Sequence, residues 1–264
     1  GDEGGRVPTA NLSNNFGGRL SGVIAKQGSG EPGRDGSNIF IRGISTTGSN
    51  EPLLIVDGIP RSFQQLDPNS IESFTVLKDA AAVAPYGVAG ANGVVLVTTK
   101  KGQTGKPTIT YNGYVGFQNP TILPEYVNSV EYATLKNEIA RSQGLPVPYN
   151  DEAMRKFADG SDPDVYPTQN VLDYAISKNS PMTYHNLEMT GGTDRMKYYA
   201  GFGYLYQRGM WNTTYSNRYN INLNIEGKVS KYTTVSLGIN GRITSRHYPN
   251  SDQPSNATSR IMEL

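Results

Sequence analysis

Between residues 107 and 243 the chain falls into segments of about ten residues in which apolar and polar side chains alternate, and this period of two dictates β-strands. In 219–229, Tyr219, Ile221, Leu223 and Ile225 alternate with Asn220, Asn222, Asn224 and Glu226. In 233–243, Val235, Leu237 and Ile239 oppose Ser236, Asn240 and Arg242. In 107–118 one face carries Ile109, Tyr111, Val115 and Phe117, and the other Thr110, Asn112, Tyr114 and Gln118. Segment 197–207 places Tyr198, Phe202, Tyr204 and Tyr206 together, and Leu187 and Met189 alternate with Asn186, Glu188 and Thr190. Pattern and length suit a membrane barrel strand. A soluble antiparallel sheet with one wet face alternates in the same way, so the period alone leaves both open.

Composition narrows the chemistry. The 24 basic and 23 acidic residues give a net charge of +1, without the basic excess that a nucleic-acid partner demands. There is no cysteine, which removes disulfides and thiolate metal sites, and two histidines, His185 and His247, nearly exclude a multi-histidine metal site. No apolar run reaches the roughly 18 residues of a transmembrane helix, which says nothing against a barrel. The order of residues offers neither a catalytic triad nor a nucleophile elbow, so the expectation is no enzyme and no cofactor.

Before about residue 106 the character differs. Short apolar runs alternate with glycine-rich turns, as in a compact α+β unit of about a hundred residues. Leu12–Leu20 predicts a short helix with Phe16 and Leu20 on one face. Strands are expected over Ile39–Ile44, Leu53–Val56, Ile71–Leu77 and Val94–Thr99, the second ending at an Asp57-Gly58 turn. Asp79 is a cap for a helix through Ala80–Ala84 that Pro85 ends.

Residues 119–182 separate the first two long segments. Two helices are predicted there. One spans 129–141, with an Asn128/Glu131 capping box, a Tyr132, Leu135 and Ile139 stripe, and Gly144 beyond its end. The other spans 151–158, between Asn150 and Gly160.

Other motifs are weak. Gly28–Gly33 matches G-x-G-x-x-G, but a nucleotide site needs a helix after it, and here Pro32, Asp35 and Gly36 continue a loop into a strand. Asp159, Asp162 and Asp164 do not fit the calcium-loop spacing and read as a solvated loop. Two formal glycosylation sequons, at Asn212 and Asn256, carry no structural message.

The informative stretch is 12–102. Gly18-Arg19-Leu20-Ser21-Gly22-Val23 is followed by Ile41-Arg42-Gly43-Ile44 and by Leu53-Leu54-Ile55-Val56-Asp57-Gly58-Ile59-Pro60. Then come Val76-Leu77-Lys78-Asp79-Ala80-Ala81-Ala82, Tyr86-Gly87 and Gly90-Ala91-Asn92-Gly93 running into Val94–Gly102. Block after block, this resembles the plug of SusC/RagA-type TonB-dependent outer-membrane transporters. Looser landmarks follow at Gly160–Pro167, His185–Leu187, Gly191–Asp194 and Tyr198-Tyr199. The chain departs from the family pattern at Pro85, at Val88-Ala89, and at Thr168–Val171.

The resemblance implies an α+β plug domain, residues 1–106, followed by antiparallel strands of a transmembrane β-barrel, residues 107–264. That makes a partial barrel of about five strands out of about 22. The remaining strands are then expected on a continuation of the gene product or on other chains, and the TonB-contacting segment upstream. It implies TonB-dependent import of a nutrient, a glycan oligosaccharide first, with a peptide or a siderophore or vitamin chelate as alternatives. The partners would be a SusD-like surface lipoprotein and the TonB–ExbB–ExbD energising complex. Location would be the outer membrane, with the plug at the periplasmic side. The plug motif positions are Arg42, Gly43, Asp57, Gly58, Lys78, Asp79, Tyr86, Gly87, Asn92 and Gly93, and Tyr114 is a candidate sugar platform in the lumen. Arg42 is expected to find an acidic or carbonyl partner. A secreted β-rich adhesion module is the reading from a different class. The barrel reading fixes a topology: strands that are sequential antiparallel neighbours, with residues 119–182 and 246–260 at one end.

Overall fold

The structure is a computed structural model. It describes residues 10–16, 22–41, 43, 50–63, 66–121, 123, 125–168, 171–211 and 213–248. Arg42, Leu20 and both sequon asparagines lie outside the described residues, as do 249–264.

The N-terminal unit contains a hairpin of β1 (Val23–Gln27) with β2 (Ser37–Ile41), and a four-stranded mixed sheet. That sheet comprises β3 (Leu53–Val56), β4 (Ile59–Arg61), β5 (Ile71–Leu77) and β6 (Val94–Thr99) in the order β4-β3-β6-β5. β3 and β6 lie parallel, Leu53 beside Val94 through Val56 beside Val97. Such a central pair is covered on both faces, which is why these two runs are continuously apolar. Phe16, Val23, Ile39, Ile41, Leu54, Val56, Leu66, Val95 and Val97 form one core. Leu54 is 2% exposed, so Leu54→Ala is expected to destabilise this unit by about 2–5 kcal/mol. Loss of hydrogen-exchange protection on β3 and β6, with the long strands unaffected, is the measurement that checks it.

Local chemistry explains the turns. β3 and β4 are joined by Asp57 and Gly58 alone, at φ 49° and 86°. Two positive φ values are the mark of a type I′ hairpin, for which Asp-Gly is favoured. Some expectations need correction. The helix at Leu12 is a single 3-10 turn, Leu12–Asn15. α1 spans Ala80–Val83 with Ala84 as its C-cap, so the α-helix does end before Pro85; 3-10 turns that were not expected follow over Ala84–Gly90, broken at Gly87, where φ is 57° and ψ -146°. Proline fits there because it sits in the first turn, where its missing N–H has no partner to lose. Strands β1 and β4 had no expectation attached.

The second sheet has five strands: β7 (Gly105–Gln118), β8 (Ser180–Gly192), β9 (Met196–Arg208), β10 (Tyr215–Lys228) and β11 (Thr234–His247). All are antiparallel to their sequence neighbours, in the order β11-β10-β9-β8-β7. Gln118 pairs with Ser180, Arg208 with Tyr215, and Tyr215 with His247. The long 119–179 connection and the end of β11 therefore lie at one end, and the short turns after β8 and β10 at the other. β11 runs to His247, so the following loop begins later than the expected residue 246.

One face of this sheet is apolar and open. Ile109, Phe117, Ile221, Leu237 and Ile243 are each more than half exposed there. Across the band runs an aromatic row: His185 stacks on Tyr204 with ring centroids 6.3 Å apart, and Tyr204 meets Tyr219 at 5.0 Å. A contiguous exposed apolar band edged by aromatic rings is what a lipid-facing wall presents. The other face is polar and buried: Asn186, Glu188, Gln207, Arg218 and Asn220 are each at most 9% exposed, because the N-terminal unit covers them.

The 119–179 connection holds α2 (Ser129–Ser142), α3 (Asp151–Asp159) and the unanticipated short α4 (Val171–Ala175). Both predicted caps are present, the Asn128/Glu131 box and Asn150. The expected α2 stripe is wrong in direction. Tyr132, Leu135 and Ile139 are about half exposed, and the buried face is Ala133, Asn137 and Ala140. Asn137 is buried because it brackets Tyr149, donating to its carbonyl at 2.7 Å and accepting from its amide at 3.0 Å.

Candidate functional site

The site is the seam where the N-terminal unit meets the polar face of the five strands. Two buried carboxylates of the first unit anchor it. Asp67 precedes a 3-10 turn and accepts from the Asn69 amide at 3.0 Å. Its remaining capacity goes to the wall, to Tyr184 Oη at 3.1 Å and Asn220 Nδ2 at 2.9 Å. Asp35, in the loop before β2, accepts from Asn11 and from Gln207 Nε2 at 2.9 Å. Its backbone carbonyl takes Asn14 Nδ2 at 2.8 Å and Gln27 Nε2 at 2.9 Å.

Burial raises the pKa of the Asp35 carboxyl above its ordinary value of 3.8, against the lowering effect of Gln207, Arg218 and Asn11. The folded protein then holds this proton more tightly than the unfolded chain does. Asp35 thus contributes most stability at low pH, and that contribution declines as pH climbs from 3.8 through the raised value. An Asp35→Asn variant is expected to lose this slope, which melting curves of the full-length protein recorded across that window would reveal.

A second pair of contacts lies nearer the short turns. Lys100 Nζ bonds both oxygens of Glu188, at 2.9 and 2.8 Å, and Asn186 Nδ2 adds a third bond to the carboxylate at 2.7 Å. Asn224 Nδ2 donates to the Lys100 carbonyl at 2.8 Å. Next to it the chain passes the wall at contact distance. A Cβ on Gly102 would lie 2.3 Å from the backbone nitrogen of Tyr198, so only glycine fits.

The motif residues are spread through the first unit rather than gathered in one pocket. Asp57 accepts from the Thr99 amide at 3.0 Å and from Thr99 Oγ1 at 2.6 Å, tying the hairpin to β6. Gly43, Gly58, Gly87 and Gly93 all take positive φ, and Gly93 lies against Ile41. Lys78 Nζ reaches to 2.9 Å from where a Cβ on Gly22 would stand. Asp79 stands at the N-cap of α1 but makes no side-chain cap bond. Tyr86 packs on Gly90, and Asn92 Nδ2 reaches the Glu51 carbonyl at 3.4 Å. Tyr114 is half-buried, stacked on Tyr184 with centroids 5.3 Å apart and packed on Ala10, Met182 and Leu205. Of the seam residues, Gln207 and Arg218 are not singled out by the sequence, Asp35 reads only as part of a loop, and Asp67 opens the Asp67-Pro68-Asn69-Ser70-Ile71-Glu72-Ser73 block of the informative stretch. For Gln207 and Arg218 the available signal is the polar face of the strands.

Comparison with known proteins matches this arrangement. The family model of the TonB-dependent receptor plug domain fits residues 2–94. A TonB-dependent receptor, P26, of Formosa agariphila is 32% identical over 88% of the chain, and SusC of Bacteroides thetaiotaomicron 28% over 85%. A structure of the RagAB peptide transporter superposes with a TM-score of 0.75 at 26% identity, over 93% of the chain. The chain carries a TonB-dependent receptor plug domain and resembles SusC/RagA-type receptors over most of its length. Its N-terminal unit has the plug fold, and its five long strands are strands of a transmembrane β-barrel, which they do not close. The siderophore receptor PirA of Acinetobacter baumannii, at 16% identity and a TM-score of 0.59, shares the fold. The chain spans about a quarter of the length of these curated receptors, 23% of P26 and 22% of SusC, and 30% of the RagAB chain.

Proposed function

We propose that the full-length protein imports a nutrient oligosaccharide across the outer membrane, driven by the TonB–ExbB–ExbD complex and working with a SusD-like surface lipoprotein. The observation that carries this reading is the seam: a small α+β unit held against the polar inner face of barrel strands by a handful of side-chain bonds. Such a unit can detach or unfold in part before the wall does, because its local stability is lower than that of a continuous strand ladder. Residues 1–106 are the plug on this reading, and 107–264 begin the barrel, with 119–182 outside the cell and the plug toward the periplasm. The motif glycines, with Asp57, Lys78, Asp79, Tyr86 and Asn92, maintain the plug's turns. Tyr114 and its inward neighbours border the solute's route.

A peptide solute is the second reading, favoured by the likeness to the RagAB transporter at 26% identity. Deletion of the gene in its native host, followed by uptake assays with labelled oligosaccharides and labelled peptides, separates the two. The expected result is lost oligosaccharide uptake, reproduced in the parent strain by a protonophore. Uptake that survives both treatments overturns the proposal, and selective loss of peptide uptake installs the second reading.

A further inference from the structure

A cleft of about 550 Å³ opens between the plug and the inner face of β10 and β11. Three arginines line it, Arg61 of β4 with Arg242 and Arg246 of β11, against a single carboxylate, Asp67. That carboxylate is already taken by Tyr184, Asn220 and the Asn69 amide. Arg242 Nε donates to Thr244 Oγ1 at 3.1 Å. The ion pairs among the described residues lie elsewhere, at Lys100, Arg155 and Lys156.

The strand register concentrates the charge. Arg246, Arg218 and Arg242 stand opposite Ser216, Thr244 and Asn220, so three guanidiniums occupy diagonal positions on one inward face. Arg218 lies behind the cleft, 4% exposed, with its Nε unpartnered. Arg246, though exposed, passes close to the plug: a Cβ on Gly33 would lie 2.7 Å from its Nε. Like charges brought this close repel, and no ion pair among the described residues offsets the part-buried Arg61 and Arg242. An incoming oxyanion relieves both, since the guanidinium fork matches its geometry.

Toward the short turns the excess ends. A second cleft of about 320 Å³ shares Val56, Arg61 and Asn240, and there Arg61 and Lys101 are balanced by Asp57 and Glu226. The cationic end is the one near His247. Asn222 and Asn240 lie beside the arginines and can serve hydroxyl groups as donors and acceptors.

We propose that this cleft is a subsite for the anionic groups of an acidic oligosaccharide, uronate carboxylates or sulfate esters. It deepens the import reading and rests on it only for the solute's route. The test uses the full-length protein in detergent and calorimetric titration with tetragalacturonate, maltotetraose, an acidic tetrapeptide and sodium sulfate. Tetragalacturonate is expected to bind about 10-fold more tightly than maltotetraose, as one or two charge-assisted hydrogen bonds supply. The gap should shrink as salt rises from about 50 to about 500 mM. The Arg61→Gln/Arg246→Gln double variant should bring it below about 2-fold while maltotetraose affinity holds. Arg61 is only partly buried and Arg246 exposed, so the variant should keep its melting temperature. Selenate soaked into wild-type crystals provides a second readout, as an anomalous peak in the cleft. Sulfate binding alone supports the oxyanion chemistry with the sugar class overturned, and tighter binding of the acidic peptide overturns that class too. Equal affinity for the acidic and neutral sugars, a preference that survives the double variant, or a carboxylate of later strands filling the cleft overturns the proposal. Protonophore-sensitive uptake persisting through any of these leaves the import reading standing, and its loss beside an intact preference does the reverse.

Discussion

Gly102→Val will keep the plug from closing against the barrel wall. A Cβ at this position would lie 2.3 Å from the Tyr198 nitrogen and 2.7 Å from its carbonyl carbon and oxygen. These are backbone atoms of a strand bonded on both sides, to β8 and β10, so they cannot give way as a flexible side chain would. The chain around residue 102 must move instead, and Lys100 is two residues away in its bond to Glu188. We expect more than about 3 kcal/mol of lost stability at the seam, the range of severe overpacking. Limited proteolysis of the full-length protein should cut the plug of the variant while the barrel still migrates as a folded species. Gly30→Ala is the control, since nothing lies within 4 Å of its Cβ position and the change should be nearly silent.

Asp67→Leu is the second large effect. The substitution removes the acceptor for Tyr184 Oη, Asn220 Nδ2 and the Asn69 amide together. Tyr184 and Asn220 are each 3% exposed, so water does not replace the lost partner. A buried donor left without an acceptor costs about 1–3 kcal/mol, and three sharing one site put the total near 3–5 kcal/mol. Asp67→Asn should cost less, because one oxygen remains to accept. Urea titration of the full-length variants, followed by plug hydrogen exchange, checks the order Leu worse than Asn worse than wild type. Equal behaviour of Leu and wild type would show that the seam does not depend on this carboxylate.

The sequence reveals the wall far better than the seam. In β10 the alternation of Ile221, Leu223 and Ile225 with Asn220, Asn222 and Asn224 follows from lipid on one side and polar packing on the other, so one strand's own residues announce it. β3 and β6 are legible for a related reason, being apolar over Leu53–Val56 and Val94–Val97 and framed by turn residues. β1 is not, because Val23–Gln27 is a short hairpin strand whose Ile24 and Lys26 face water. In α2 the stripe of Tyr132, Leu135 and Ile139 is real as a pattern, yet the packed side belongs to small residues and to an asparagine whose bonds lie on another segment. Asp35 and Asp67 look like ordinary loop acids. What distinguishes them is their partners, and no local period encodes a partner on another domain.

That separation has a consequence in time. The contacts of the seam join residues 88 to 208 positions apart: Lys100 with Glu188, Tyr184 with Asp67, Gln207 with Asp35, and Arg218 with the Ala10 carbonyl. β8 to β11, by contrast, pair with their next neighbours through turns of a few residues. Loop-closure entropy favours near contacts over far ones, so these hairpins zip before the long-range bonds can form. The bonds that seat the plug are therefore the last to be made. Until then Asp35, Asp67 and Arg218 are still hydrated, and assembly ends with their desolvation.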